Sequence, residues 1–186
     1  MDAVVMCGGR GTRLGTRTEK PLVEVGGRPM LARVIAACQS ATPGHVYAAT
    51  STHTPRTRAW ADAHGVPVID TPGAGYVADL DAVMATVDMP FLSITADIPG
   101  VAPRHLRRLL AQHAESDSAV TAVTATGLKR WLGCSVAPSY GDASVVPVGL
   151  NVVDRSDGVS VLLCDPAVSI NVNTPTDLQI ARARCV

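Results

Sequence analysis

A chain of 186 residues is long enough to form one well-packed domain. Hydrophobic residues make up 47% of the sequence and charged residues 17%, a composition that excludes an intrinsically disordered protein. The 16 acidic residues cancel the 16 basic ones, so the chain lacks the basic excess typical of proteins that bind nucleic acid. Any anion must therefore be bound locally, by a few placed residues.

Apolar runs and helical patterns alternate in the first part of the chain. Apolar residues recur at helical spacing from Leu31 and again from Val77, which predicts two helices. Pro55 suits the first turn of a third helix, and another is predicted from about Pro103. The predicted strands between these helices are Ala3–Cys7, His45–Thr50, Val66–Ile69 and Phe91–Thr95. Strands separated by helices imply a mainly parallel sheet with helices on both faces.

The pattern changes to short β-rich runs after Ser118. These predicted strands are Ala119–Ala125, Ser144–Val153 and Val159–Leu163, and a last helix is predicted from about Thr176. We interpret them as completing the same sheet. The prediction is therefore a single α/β domain over residues 1–186, with a Rossmann-like fold and a mainly parallel central sheet flanked by helices.

The cysteines and the hydrophobic segments indicate in which cellular compartment the protein is expected. Five cysteines without C-x-x-C spacing predict neither a disulfide framework nor a zinc site, and they favour a reducing compartment. The first residues lack the basic start of a secretory signal, and no stretch approaches the roughly 18 apolar residues of a membrane span. We therefore expect a cytoplasmic protein without a membrane span.

Ligands of an open parallel sheet bind beyond the carboxyl ends of its strands. We therefore expect four loops to line one site, those after Cys7, Thr50, Ile69 and Thr95. The loop after the first strand reads G-G-R-G-T-R-L-G over residues 8–15, and E-K-P-L follows at 19–22.

This glycine-rich loop is the strongest functional signal in the sequence. Its glycines let backbone N–H groups approach an anion, and Arg13 and Lys20 add positive charge. The spacing fits neither the dinucleotide fingerprint nor the P-loop. The alternative is a glycine-rich turn beside a solvated arginine and lysine.

These two motifs resemble the signature of the nucleotidyltransferase superfamily, which includes sugar-phosphate nucleotidyltransferases and the molybdenum-cofactor guanylyltransferases. D-T-P-G-A-G-Y at residues 70–76, P-V-G-L-N-V-V at 147–153 and N-V-N-T at 171–174 are similar to segments of the archaeal-type adenosylcobinamide-phosphate guanylyltransferases. The resemblance implies transfer of GMP from GTP to a phosphorylated corrinoid, with release of pyrophosphate, and it implies a homodimer. The alternatives are a molybdenum-cofactor guanylyltransferase, another NTP:phosphate nucleotidyltransferase or, outside enzymes, a nucleotide-binding module that does not catalyse.

The resemblance also implies which residues carry the reaction. Arg13, Lys20 and Asp97 would be catalytic, the two cations holding the triphosphate. The implied nucleotide-binding residues are Gly8, Gly9, Gly11, Thr12, Arg13, Lys20, Thr50, Thr71, Gly73, Ala74 and Gly75.

Segment 70–76 is the candidate for reading the nucleobase. Gly73 and Gly75 let backbone groups approach a flat base edge, and Tyr76 either stacks there or enters the core. The alternative is a plain loop. Residue types alone do not select the base, and guanine comes from the resemblance.

Asp97 follows the apolar strand Phe91–Thr95, which puts a carboxylate beside the proposed phosphates. Mg²⁺ prefers oxygen ligands and commonly uses one or two protein groups plus substrate phosphates. The superfamily pattern implies a second ligand just before the final helix, at Asn173. We therefore predict a Mg²⁺ cofactor held by Asp97 and Asn173. The alternatives are that Asp97 caps a turn before the helix at Pro103 and that Asn173, Thr174 and Asp177 simply initiate the last helix.

Gly149 and Asn151 are the predicted acceptor-binding residues. Asparagine is disfavoured in strands, yet Asn151 stands in a β-rich run, and in the resemblance this segment borders the acceptor. Apolar side chains dominate Ser144–Val153, so we expect a wall that suits a corrinoid edge better than a sugar ring. The alternative is that Asn151 ends a strand.

Overall fold

The computed structural model describes residues 1–137 and 143–185. Its strands are β1 (Ala3–Met6), β2 (Glu24–Val25), β3 (Arg28–Pro29), β4 (Val46–Thr50), β5 (Val68–Asp70), β6 (Phe91–Thr95), β7 (Ala119–Ala125), β8 (Val145–Val153) and β9 (Gly158–Leu162). Its helices are α1 (Met30–Ala41), α2 (Pro55–Ala63), α3 (Tyr76–Met84), α4 (Pro103–Ser116), α5 (Thr126–Leu132), α6 (Pro166–Ser169) and α7 (Pro175–Arg184). Two single turns of 3₁₀ helix cover Thr12–Leu14 and Lys20–Leu22.

Seven strands form one sheet in the order β5-β4-β1-β6-β8-β7-β9. β1 pairs in parallel with β4 on one side and with β6 on the other. β8 runs antiparallel to both of its neighbours, β6 and β7, while β7 and β9 are parallel. The strands β4 and β5 thus lie on one side of β1, and the chain then crosses over so that β6 pairs with β1 on its other side. A crevice opens beyond the carboxyl ends of β1 and β6 at this reversal of winding.

Both faces of β1 are covered by helices, which explains why its sequence is continuously apolar. Val5 packs in one buried cluster with Leu31 of α1 and Leu106 of α4. Val4 packs in a separate cluster with Val83 of α3 on the opposite face. The sheet is therefore the central layer between helices, and its strand ends are left open for a site.

The predicted fold class is confirmed, and so is the placement of most elements. β6 and β7 have the predicted bounds, β1, β4, β8 and α7 differ from prediction by one residue at one end, and β9 differs by one residue at each end. The strand predicted at Val66–Ile69 forms at Val68–Asp70 instead, where its residues pair with β4. The strands before and after Ser118 lie in one sheet.

Three short features have no counterpart in the sequence predictions. β2 and β3 form a hairpin of two residues per strand around Gly26 and Gly27, which have φ values of 59° and 71°. Helices α5 and α6 have seven and four residues. Elements this short do not complete a hydrophobic period, so the apolar pattern cannot reveal them. Among the described residues, none of the helices combines the length and hydropathy needed to cross a bilayer.

Candidate active site

Two adjoining pockets occupy the crevice beyond β1 and β6. The loop pocket, about 320 Å³, is lined by Met6, Cys7, Gly9, Arg10, Gly11, Thr12, Arg13, Lys20, Pro21, Gly75, Tyr76, Asp79, Thr95, Ala96, Asp97 and Asn173. The strand pocket, about 450 Å³, is lined by Arg13, Tyr76, Thr95, Asp97, Thr121, Lys129, Ser135, Val136, Ala137, Val146, Pro147, Val148, Gly149, Asn151, Asn171 and Asn173. Arg13, Tyr76, Thr95, Asp97 and Asn173 line both and form the border between the two pockets.

The Asp97 carboxylate lies at this border. Its Oδ2 is 2.6 Å from Lys20 Nζ, and its Oδ1 accepts hydrogen bonds from Thr95 Oγ1 at 2.8 Å and Asn171 Nδ2 at 3.3 Å. Burial alone would raise the pKa of Asp97, but the Lys20 charge and these hydrogen bonds lower it below its usual range. The side chain is therefore a carboxylate at neutral pH. It does not cap α4, whose N-cap residue is Ala102.

The Asn173 side chain meets the same ammonium group. Its Oδ1 accepts hydrogen bonds from Lys20 Nζ at 2.9 Å and from Arg13 Nη2 at 3.3 Å. The loop cations and the C-terminal segment are thus joined across more than 150 residues of sequence. This arrangement gathers the two predicted cations and the two predicted oxygen ligands at one place.

A capping box at the start of α7 fixes the backbone of Asn173. Thr174 is the N-cap residue, and its Oγ1 accepts a hydrogen bond from Asp177 N. Asp177 Oδ2 in turn accepts hydrogen bonds from the backbone N–H groups of Asn173 and Thr174. Because Thr174 and Asp177 supply the cap, the Asn173 side chain is left pointing into the crevice.

The oxygens of Asp97 and Asn173 fit the ligand chemistry of Mg²⁺. Both contact the Lys20 ammonium, so the space between them already holds one cation. Within residues 1–137 and 143–185 there is no cluster of three or more His, Cys, Asp or Glu side chains that could enclose a metal ion. A metal at this place would depend on these two oxygens, water and substrate phosphates, which is how Mg²⁺ is commonly held.

The glycine-rich loop is shaped so that Lys20 can lie against it. Gly11 has a φ of 61°, and a Cβ built there would lie 2.8 Å from the Cβ of Lys20. A larger residue at Gly11 would push the lysine away from Asp97. Leu14 anchors the end of the loop in a buried cluster with Val172 and Leu178, which holds the loop against the segment that carries Asn173.

Glu19, which precedes Lys20, ties this segment to α2. Its carboxylate accepts hydrogen bonds from Arg56 N at 2.8 Å and from Thr57 N and Oγ1, both at 2.7 Å. It therefore satisfies free N–H groups in the first turn of α2. The sequence predictions gave Glu19 no role, although a helix start at Pro55 was the signal that a carboxylate could bind there.

Some predicted nucleotide-binding residues line the loop pocket and others lie behind it. The lining ones are Gly9, Gly11, Thr12, Arg13, Lys20 and Gly75. Gly8, Thr50, Thr71, Gly73 and Ala74 are not among the lining residues. Thr50 and Thr71 are buried, and both Thr71 N and Thr71 Oγ1 donate to Thr50 O, so their hydrogen bonds serve the fold. Ser51 Oγ donates to Gly8 O at 2.7 Å and supports the loop from the same side.

Asn151 and Tyr76 form one wall of the strand pocket. Asn151 Nδ2 donates to Tyr76 Oη at 3.2 Å, and that hydroxyl lies 3.1 Å from Ser93 Oγ. Burial raises the pKa of Tyr76, offset only in part by the hydrogen bonds with Ser93 and Asn151, so its hydroxyl stays neutral. Asn151 is inside β8, so the alternative that it ends the strand is wrong.

Lys129 and Asn171 complete the site, and the sequence predictions missed both. Lys129 is 5% exposed; its Nζ donates to Ser169 O at 2.8 Å and to Asn171 Oδ1 at 2.9 Å. Burial lowers the pKa of Lys129. Asn171 Nδ2 donates to Asp97 Oδ1 and to Val148 O, so Lys129 orients the amide that supports Asp97. Lys129 was missed because it stands on α5, a helix too short to be predicted.

Replacing Gly149 by alanine is expected to lower turnover about tenfold to a hundredfold, because its new Cβ would displace Thr95 and so misplace Asp97. Gly149 has a φ of 85°, so the substitution should also lower the free energy of unfolding by about 1–3 kcal/mol. Gly127→Ala is the matched control, since nothing lies within 4 Å of its Cβ position. Steady-state kinetics of the purified protein and urea unfolding measure the two effects. An alanine variant with wild-type turnover would contradict the assigned geometry.

The chain is similar to known proteins over its whole length. Residues 3–145 match the family described as the MobA-like NTP transferase domain. The adenosylcobinamide-phosphate guanylyltransferase of Methanocaldococcus jannaschii is 30% identical over 97% of this chain and 95% of that protein. The bifunctional protein GlmU of Kineococcus radiotolerans is 31% identical over 66% of this chain, which covers 26% of GlmU.

Solved structures share the fold at lower sequence identity. A CMP:2-keto-3-deoxy-manno-octonic acid synthetase complexed with CTP has a TM-score of 0.69 and 20% identity, covering 98% of this chain and 95% of that one. Rv0371c from Mycobacterium tuberculosis H37Rv has a TM-score of 0.67 and 18% identity, covering 98% of both chains. These likenesses establish the architecture alone.

Proposed function

The chain belongs to the MobA-like NTP transferase family, and on this premise we propose that it transfers GMP from GTP to adenosylcobinamide phosphate. The products would be adenosyl-GDP-cobinamide and pyrophosphate. The observation that carries the proposal is the meeting of Lys20, Arg13, Asp97 and Asn173 at the border of two pockets. The similarity to the Methanocaldococcus jannaschii guanylyltransferase over nearly the whole of both chains supports the choice of substrates.

The two pockets suit two substrates. We assign the nucleotide to the loop pocket, because its wall contains the glycine backbone and the cations Arg13 and Lys20. The acceptor then belongs in the strand pocket. The reacting α-phosphate would lie at the border residues, where an oxygen of the acceptor can approach it from the side opposite the leaving pyrophosphate.

The reaction joins two anions, so its main requirements are alignment and neutralisation of charge. An oxygen of the acceptor phosphate attacks the α-phosphorus of GTP, and pyrophosphate leaves in line. Lys20 and Arg13 would hold the triphosphate and offset the charge that grows on the leaving group. Mg²⁺, held by Asp97 and Asn173, would supply further neutralisation. The acceptor phosphate is already ionised at neutral pH, so no general base and no protein nucleophile are needed.

The lining of the strand pocket combines apolar and polar side chains. Its apolar members are Val136, Ala137, Val146, Pro147 and Val148, but Val146 and Val148 are buried, so the apolar wall expected from Ser144–Val153 is only partly formed. Hydrogen-bonding side chains such as Thr121, Ser135 and Asn151 lie in the same lining. Arg13 lies there too and would meet the acceptor phosphate. The choice of a corrinoid over a sugar 1-phosphate therefore rests on the similarity to the Methanocaldococcus jannaschii guanylyltransferase.

Pyrophosphate release in the presence of Mg²⁺ tests the proposal. The purified protein is incubated with each NTP and with adenosylcobinamide phosphate, molybdopterin or a sugar 1-phosphate. We expect release only with GTP and the corrinoid, and formation of adenosyl-GDP-cobinamide by mass spectrometry. Faster reaction with molybdopterin or a sugar 1-phosphate would overturn the acceptor assignment and leave the transferase activity. No release with any pair would leave a nucleotide-binding module that does not catalyse.

A further inference from the structure

We infer that the Asp79 carboxylate selects guanine, by accepting hydrogen bonds from its N1–H and its 2-amino group. The inference rests on the proposed function, in which the loop pocket receives the nucleotide, and it assigns the base specificity to one side chain. Asp79 stands in the first turn of α3 and lines the loop pocket beside Gly75 and Tyr76.

Asp79 is an acid in an unusual setting, since it is 5% exposed and has no cationic partner among the ion pairs of the described residues. A buried carboxylate normally requires paired charge or several hydrogen bonds. Its Oδ1 accepts one hydrogen bond, from Gly73 N at 2.7 Å. In the part of the chain that the structure describes, Oδ2 accepts none.

The second carboxylate oxygen is not fully enclosed. Within the described residues no fully enclosed side-chain nitrogen or oxygen lacks a hydrogen-bond partner. Oδ2 therefore keeps an accessible surface, and the pocket that Asp79 lines is where a ligand can reach it. Gly8 makes room for this oxygen, because a Cβ on Gly8 would lie 2.7 Å from Oδ2. Asp79 thus presents an acceptor on the pocket wall, and Gly8 leaves room for it from behind.

The hydrogen-bonding pattern of the carboxylate matches one common base. An ionised carboxylate only accepts, through two oxygens side by side. Guanine presents two adjacent donors, N1–H and the 2-amino group, whereas adenine presents the acceptor N1 at the matching position. Hydrogen bonds from neutral donors to a charged acceptor are stronger than those between neutral groups. If the base instead placed an acceptor against Oδ2, both groups would lack a hydrogen bond in the closed complex, which disfavours the wrong base.

Equilibrium binding of nucleotides without an acceptor tests the inference. In wild type we expect ITP, which lacks the 2-amino group, and 1-methyl-GTP, which lacks N1–H, each to bind about tenfold or more weakly than GTP. ATP and XTP should bind more weakly still. These measurements use calorimetry on the unmodified protein, so they need no variant to fold. Equal affinity for GTP, ITP and 1-methyl-GTP would overturn the inference.

Asp79→Asn separates base selection from a structural role. The amide oxygen can keep the hydrogen bond from Gly73 N, but one acceptor becomes a donor and suits the 2-oxo group of xanthine. In this variant GTP loses the hydrogen bond from its 2-amino group, and XTP gains one to its 2-oxo group. We therefore expect the ratio of GTP affinity to XTP affinity to fall about a hundredfold or more. Asp81→Asn, an exposed change on the same helix, should leave the ratio unchanged. A merely structural Asp79 would weaken all nucleotides equally and keep the ratio, which would overturn the inference.

The failures of the two proposals are distinguishable. Tight GTP binding with a ratio that Asp79→Asn does not change would overturn base selection by Asp79 and leave the guanylyltransferase proposal standing. A wild type that binds GTP no better than ATP would overturn both. A wild type that selects GTP through Asp79 but releases no pyrophosphate with any acceptor would support the inference while the transferase proposal fails.

Discussion

Replacing Lys20 by methionine is expected to lower the turnover of pyrophosphate release about 10²- to 10³-fold, the usual effect of losing one group that stabilises charge in a transition state. Methionine keeps the length of the side chain but loses the ammonium that contacts both Asp97 and Asn173. The loss should appear in kcat at saturating GTP, because the charge on the leaving pyrophosphate grows only as the bond breaks. Steady-state assays at saturating GTP and acceptor measure it.

Arg17→Met is a suitable control for Lys20→Met. Arg17 belongs to the same loop segment and is exposed, but it does not line either pocket. Its loss removes one positive charge from the loop without touching the site, so turnover should stay near wild type. Thermal unfolding must accompany the assays, because Lys20→Met leaves Asp97 without its ion-pair partner. Wild-type turnover of a folded Lys20→Met protein would show that the loop is not catalytic.

Asp97→Asn should lower activity by at least about 10²-fold while GTP binding in the presence of EDTA persists. The amide has nearly the same size and can still accept from Thr95, but it lacks the negative charge that Mg²⁺ and Lys20 require. The informative measurement is the dependence of turnover on Mg²⁺ concentration, which the wild type should show steeply and the variant should not. Calorimetric GTP binding without metal reports whether the loop pocket is intact.

Asp62→Asn is the matched control for Asp97→Asn, since Asp62 is an exposed acid of α2 away from both pockets. It should retain wild-type activity and metal dependence. If Asp97→Asn works at ordinary Mg²⁺ concentration, the carboxylate serves the local fold through Thr95 and Asn171 instead. The same result would remove the basis for Asn173 as a metal ligand.

Local sequence patterns located those candidate site residues that are neighbours in sequence. The glycines of residues 8–15 and Lys20 lie within one loop, and their spacing alone predicted a phosphate-binding surface. The apolar run of β6 placed Asp97 at the end of a strand for the same reason. The pocket at the carboxyl ends of β1 and β6 followed from the expected parallel sheet. The loop after β4 differed, because Thr50 is buried there and serves the fold.

Two alternatives left open by the sequence depended on where side chains point. The sequence allowed Asn173, Thr174 and Asp177 to initiate the last helix, and in the structure Thr174 and Asp177 form the cap without the Asn173 side chain. It allowed Tyr76 to stack or to enter the core, yet its hydroxyl bonds Asn151 on the wall between the pockets. Residue type fixes what a side chain can donate or accept, whereas the packing of separate elements fixes which partner it meets.

The sequence by itself determined the fold class, the order of most strands and helices, the glycine-rich loop after β1 and the carboxylate after β6. These features depend on the periodicity of apolar residues and on short motifs, both of which involve residues close together in sequence. Only the tertiary structure joined Lys20 to Asn173, placed Lys129 behind Asn171, and left one oxygen of Asp79 open beside Gly8. Such contacts join residues tens to more than a hundred positions apart, and burial decides which polar atoms remain for a ligand. A pattern read along the sequence shows neither the contact nor the burial, because both arise only when the helices pack against the two faces of the sheet.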